Sequence, residues 1–286
     1  MRRAREAQQA AYEASREVVD RARARRDAAW RDAASSNRRR AAAVLLLPLL
    51  VGAALGLLGF VFLPLAAVGA VLFVTWAVLA GLSWRFALAG PAALAGGRDL
   101  AEAADAGAVS RRGAERVHDV AESLCAVLGL PPPALRLVHD PAPNGISFGR
   151  DPGSATLVLT SGLVDGVDRI ELEGVLAHEL SHVKRLDVLT GSLTASPAVR
   201  LLDALSGGRA SRYLLGELRE VEADLAAVSV TRYPPGLLSA LDRVAAAAST
   251  EPSGVPEELR RRTVGVWLAP FELGELSERV DVLREL

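Results

Sequence analysis

At 286 residues, 50% of them hydrophobic, the chain is long enough for one sizeable core plus an appendage. Its formal net charge of -1 gives no global attraction to nucleic acid. Cys125 is the single cysteine, which excludes an internal disulfide and fits a reducing compartment.

Residues 1–40 hold twelve arginines against six acidic residues. Positions 3–36 predict one long charged helix, solvated or self-associating, with a basic stretch suited to anionic headgroups. From Ala41 to Trp84 there is no charged residue. One membrane-crossing helix needs about 20 apolar residues. The run therefore predicts a transmembrane helical hairpin over 41–84, with spans at about 41–60 and 64–84 and a turn near Gly59–Pro64. Arg38, Arg39 and Arg40 flank one side, and Arg85 and Arg98 the other. The turn is uncharged, so both ends are expected in the cytoplasm. Gly52 and Gly56 form a small-xxx-small pair, but in so Gly- and Ala-rich a span chance accounts for it.

Residues 85–110 read as a linker and 111–286 as the main soluble domain. A helix over 111–129 ends at Gly129 and Pro131–Pro133. Strand-like runs follow at 135–138, 146–148 and 156–160, with the turn signal GRDPGS between the last two. Helical patterning resumes over 169–190, 212–232, 235–249 and 271–285. The domain is thus α+β and mainly helical.

The stretch VLAHELSHV (175–183) carries the chemistry. His178 and His182, four apart on a helix, can aim two imidazoles at one ion, as tetrahedral zinc requires. Glu179 is placed to reach a water on that zinc as general base. This H-E-x-x-H pattern is expected about 0.004 times by chance in a chain with 4 His and 19 Glu. A catalytic zinc needs a third protein ligand. Cys125 lies upstream in ESLCAVLGL and reads as a small buried hydrophobe. The segment RYLLGELREVEADLAAVSVTR (212–232) has a core face of Leu214, Leu218, Val221, Leu225 and Val228. Another face carries Glu217, Glu220 and Asp224, three like charges that a cation would reconcile.

Together these motifs resemble the HtpX-like membrane zinc metallopeptidases, relatives of the CAAX prenyl endopeptidases. The likeness rests on PNGISFGR (143–150), TSGLVDGVDRIELEGVLAHELSHVKRLDV (160–188), REVEAD (219–224) and VWLAP…ERVDVLREL. It implies a zincin-like (gluzincin) metalloprotease domain with a small edge-exposed sheet. It implies one Zn(2+) per chain held by His178, His182 and Glu220, with Asp224 orienting a ligand histidine. Glu217 stands where relatives often have a basic residue, which makes it a rival to Glu220. The strand Asn144, Gly145, Ile146, Ser147 and Phe148 resembles one that binds extended peptide, though turn chemistry after Pro143 accounts for Asn144 equally well. Arg219, Tyr213 and Tyr233 are candidates for stabilising an oxyanion. Relatives commonly insert two more spans before the third ligand; residues 187–211 are too short and predict a flap or short helix instead.

The implied function is a membrane-anchored zinc endopeptidase, cytoplasmic in its protease domain and acting on peptides of misfolded or membrane proteins. Its partners are a protein substrate and the lipid bilayer, not nucleic acid. The alternatives are a processing protease dedicated to one peptide and a non-catalytic scaffold of the same fold.

Overall fold

A computed structural model of the chain describes residues 2–58, 63–94, 97–250, 255, 266–268 and 274–286. Two long helices lead. Helix α1 (Arg2–Leu58) is continuous from the charged segment into the apolar run, and α2 (Leu63–Leu94) returns antiparallel to it. The expected turn falls at 59–62, outside the described residues. Both helices are long and apolar enough to cross a membrane. Leu46, Leu47, Leu50 and Leu57 on α1, and Val68, Val71, Phe73 and Val78 on α2, are exposed, an apolar surface that water does not favour.

The two helices touch closely. A Cβ placed on Gly69 would stand 2.3 Å from the backbone nitrogen of Gly56, and one on Gly52 would stand 3.0 Å from that of Phe73. The Gly52/Gly56 pair is therefore a packing surface, contrary to the expectation of chance. Pro48 lies inside α1 and has no N–H, so the carbonyl of Val44 loses its helical partner. One step on, the Leu45 carbonyl accepts a 2.9 Å hydrogen bond from Trp76 Nε1 of α2.

Regular structure is already present in the stretch expected to be a linker. Within the predicted linker, strand β1 (Arg98–Asp99) and helix α3 (Leu100–Asp105) are formed, and Leu100 is fully buried in the main core. Helix α4 (Arg111–Leu128) starts at Ser110, whose hydroxyl accepts from Gly113 N, and stops at Gly129 in the left-handed conformation. Strands β2 (Ala134–Val138), β3 (Gly145–Phe148) and β4 (Thr156–Thr160) complete a sheet of order β1-β2-β4-β3. The β2–β4 pairing is parallel; the pairings of β1 with β2 and β3 with β4 are antiparallel.

Helices α5 (Ser161–Gly166) and α6 (Arg169–Arg185) follow. The central α6 begins at a capping box, with the Asp168 side chain accepting from Ile170 N and Glu171 N and Glu171 reaching back to Asp168 N. Its close approach to α11 (Pro234–Thr250) depends on Gly174, where a Cβ would meet Leu237 N at 2.7 Å. Residues 187–211 form short helices, α7 (Asp187–Thr194), α8 (Pro197–Ser206) and the start of α9 (Arg209–Leu215). The predicted helix over 212–232 is two: α9 ends at Gly216, φ 75°, and α10 (Arg219–Thr231) begins afresh. Helix α12 (Gly274–Arg284) closes the chain.

Among the described residues, three apolar clusters result. The largest joins α4, the sheet, α6 and α11, and reaches Trp30 on α1. A second ties the hairpin (Ala41, Val44, Leu45, Trp76, Ala87) to Leu189, Leu193, Ala198, Val199 and Leu214 of α7–α9. The segment around Trp30–Leu45 thus docks on the domain, where a solvated helix was expected for its charged part. Ser83 on α2 accepts from Ala198 N at 3.0 Å and so caps α8 from outside. A third, smaller cluster packs Ile146, Phe148 and Val158 around Trp267.

The close helix crossing yields a test. Gly69→Ala should destabilise the detergent-solubilised protein by about 1–3 kcal/mol, because the packed backbones must part. Gly81→Ala, which meets nothing within 4 Å, should leave the unfolding midpoint nearly unchanged.

Candidate metal centre

Helix α6 brings His178, Glu179 and His182 into the interior, where each is at most 1% exposed. The imidazoles sit one above the other, with Nε2 atoms 3.1 Å apart. Glu220, on the first turn of α10, faces them: its Oε2 is 3.3 Å from His178 Nε2 and its Oε1 is 3.6 Å from His182 Nε2. Ligand atoms of these three residues lie within 4.8 Å of one another.

The outer partners fix how the rings present themselves. His178 Nδ1–H donates to Asp224 Oδ1 at 2.7 Å, and His182 Nδ1–H donates to Asp187 Oδ2 at 2.9 Å. A carboxylate only accepts, so each ring carries its proton on Nδ1 and turns a lone pair outward on Nε2. Two ring lone pairs and a carboxylate then converge on one point, an arrangement that repels itself unless a cation occupies it. Ligands about 2.0–2.1 Å from one tetrahedral ion stand roughly 3.3 Å apart. The observed separations bracket that value, so the residues fit a zinc ion.

Electrostatics show how strongly positive charge is favoured where the rings converge. Burial opposes a charged His178, but Asp224 and Glu220 outweigh it and raise its pKa to about 9. Burial likewise opposes an ionised Glu220, yet Arg219 and then His182 hold its carboxyl well below the ordinary carboxylate range. Asp187 and Asp224 are lowered too: against burial, His182 acts on the first, and Arg279 and His178 on the second. Three carboxylates thus stay ionised around the two rings, each also met by an arginine: Arg219 at Glu220, Arg185 at Asp187 and Arg279 at Asp224.

Glu179 is fully buried, and neither of its carboxylate oxygens has a hydrogen-bond partner among the described residues. A buried carboxylate costs free energy unless paired or put to use. It lies over β3: a Cβ on Gly145 would come within 3.6 Å of Glu179 Oε1.

The strand itself differs from expectation. β3 is at the edge of the sheet, but its four residues are buried and the edge is partly covered. Ile146 bridges to Trp267, and Leu268 N donates to the Gly145 carbonyl at 2.8 Å. Asn144 Oδ1 accepts from Gly145 N, local turn chemistry that starts the strand. Ser147 and Phe148 complete a strand that walls the site without lying open.

Glu217 is exposed in the turn before α10 and is not in the convergent cluster; the break at Gly216 removes it from the stripe. The expected core face of α10 is also displaced: Leu218 and Leu225 are exposed, while Arg219, Ala223, Asp224 and Ala227 face inward. Arg219 contacts Glu220, and Tyr213 lines a cavity of about 720 Å³ that opens at Glu220. Tyr233 lines a different hollow, with Ile170 and Glu173. Cys125 is buried in the main core, and burial, then Glu122, pushes its thiol pKa up.

Two supporting residues escaped the sequence reading. Asp187 follows Leu186, which ends α6 with φ 60° and turns the chain back toward His182. Arg279 on α12 grips Asp224 with Nε and Nη2, both at 2.7 Å. A carboxylate five residues past the second histidine was a readable signal for Asp187; nothing local marked Arg279.

The sequence profile of peptidase family M48 matches residues 111–213, a stretch that holds both motif histidines and Glu179 and stops short of Glu220. A protease HtpX homolog of Dictyoglomus turgidum is 34% identical over 161 residues, 44% of this chain and 53% of that protein. One of Salinibacter ruber is 34% identical over 158 residues, covering 53% and 57%. One of Lactobacillus helveticus is 30% identical over 209 residues, covering 57% and 67%. The chain spans about half the length of the first of these relatives. No solved structure matches. With two histidines and a glutamate converging in the structure, a family match over 111–213 and a 30% identical HtpX homolog covered over 67% of its length, the chain belongs to peptidase family M48.

Proposed function

We propose that the protein is a membrane-anchored zinc endopeptidase of zincin-like, gluzincin type. The reading rests on one observation: His178, His182 and Glu220 converge within 4.8 Å beside a buried Glu179 that has no hydrogen-bond partner among the described residues. His178, His182 and Glu220 would hold the zinc, one per chain. Bound there, zinc supplies a Lewis acid and acidifies water to a pKa near about 7. Asp224 and Asp187 keep the rings in one tautomer and raise their basicity. Glu179 takes the proton of the attacking water on its free carboxylate and passes it to the leaving amine nitrogen. Arg279 holds Asp224 in place and adds positive charge 3.5 Å from Glu220.

The hairpin α1–α2 anchors the protein in the bilayer by its exposed apolar surface, with both ends and the protease domain on the cytoplasmic side. Short helices α7–α9 take the place of further spans. Substrates are peptides of misfolded or membrane proteins, entering by the cavity at Glu220. An extended peptide reaches the β3 edge at Gly145 and Ile146 only when residues 266–268 leave it.

Purified full-length protein should carry about one zinc per chain by elemental analysis. His178→Ala and Glu220→Ala should lose it, whereas Glu217→Ala should keep it; retention by Glu220→Ala would name the wrong third ligand. Glu179→Gln should keep the zinc while turnover of an unfolded protein substrate falls by about 10²–10⁴-fold. Wild-type turnover by that variant would remove Glu179 from the mechanism. Reporters fused to each terminus should both register cytoplasmic, and an external signal from the C-terminus would overturn the hairpin topology.

A further inference from the structure

Helix α1 reaches Asp187, the partner of His182, through Asn37. Among the side chains described on that helix, Asn37 is the one buried polar group, 4% exposed. Its Nδ2 donates to the Arg185 carbonyl at 3.0 Å and to Asp187 Oδ1 at 2.5 Å. Those acceptors flank Leu186, the residue whose left-handed conformation ends α6. The second oxygen of Asp187 accepts from His182 Nδ1 and from Arg185 Nε. The amide therefore bridges both sides of the turn that carries the carboxylate holding His182.

We propose that Asn37 is a positioning residue for the metal centre: through Asp187 it sets the orientation of the His182 ring, and so ties the helix that becomes the apolar span to the metal site. The proposal rests on the zinc reading given above. The chemistry favours an amide at this place. Asp187 is buried, and its Oδ1 gets a donor from Asn37 that is neutral. That donor holds the carboxylate without competing as a cation for the charge His182 uses. Without it, Oδ1 is a buried acceptor left to swing toward Arg185, and the torsion of Asp187 that aims Oδ2 at His182 is no longer fixed. The helix is anchored on either side of Asn37 by Trp30 and Ala41, both buried against the domain, so the amide is held by packing and not by the bond alone.

The test uses full-length protein in detergent. Zinc dissociation constants come from competition with a chromogenic chelator, and melting temperatures are taken for the metal-free proteins. Asn37→Ala should weaken zinc binding by roughly 3–10-fold, below the 10–100-fold typical of direct partners of a ligand. Asn37→Asp, which keeps the volume but replaces the donor by a carboxylate, should weaken it at least as much and guards against a simple cavity effect. In an Asp187→Ala background, which should itself lose about 10–100-fold, Asn37→Ala should add nothing. Zinc affinity within twofold of wild type in both Asn37 variants, with only the metal-free melting temperature lowered, would reduce Asn37 to a packing residue and overturn the proposal. An equal loss in both backgrounds would sever the route through Asp187. A wild-type protein that binds no zinc fails the functional reading first, and that outcome is separate from the other two.

Discussion

The site depends on two histidine rings being held in the same tautomer, each with its far nitrogen bare. Left alone, imidazoles 3.1 Å apart at Nε2 would share a proton or part. Asp224 and Asp187 hold the rings in place by accepting from Nδ1–H and make each Nε2 more basic, and Glu220 closes the remaining side. The cost of burying three carboxylates falls on the surrounding structure, which answers with Arg279, Arg219, Arg185 and Asn37. The core is therefore polar at its centre and apolar around it, with Leu172, Val175, Leu176 and Leu180 shielding the same helix that carries the histidines.

This inversion explains where sequence patterning succeeded and where it did not. Spacing alone put His178, Glu179 and His182 on one helix, and the strands at 134–138, 145–148 and 156–160 followed from short β-branched runs between turn signals. The same logic misjudged α10. Its leucines were read as the buried face, yet a helix that serves a buried charge cluster turns Arg219 and Asp224 inward and leaves Leu218 and Leu225 outside. Gly216 then separated Glu217 from Glu220, which a continuous helix would have kept in line. β1 was invisible because two residues, Arg98 and Asp99, show no periodicity. Asp187 lies within five residues of His182 and its spacing is legible, whereas Arg279 and Asn37 act across more than 50 residues of chain, distances at which no local pattern speaks.

The second apolar cluster shows how the two parts of the molecule are joined. Residues of the hairpin and of α7–α9 form one continuous core, and Ser83 completes the backbone hydrogen bonding of α8. The short helices 187–215 are thus held from one side by the hairpin and from the other by Asp187 at the centre. Leu201 and Leu205 remain exposed on α8, the helix that Ser83 of the hairpin caps.

The contact of Gly69 with Gly56 acquires a mechanical meaning once α1 is seen as a single rod. From Gly56 to Asn37 the rod is about 28 Å long at 1.5 Å per residue. A wedge at the glycine crossing that swung this arm by roughly 5° would move its other end by about 2.5 Å, close to the full length of a hydrogen bond. The clamps at Leu45, Ala41 and Trp30 resist such a swing, so the bare backbone at position 69 and the docked segment together set how steadily the distant turn after α6 is gripped.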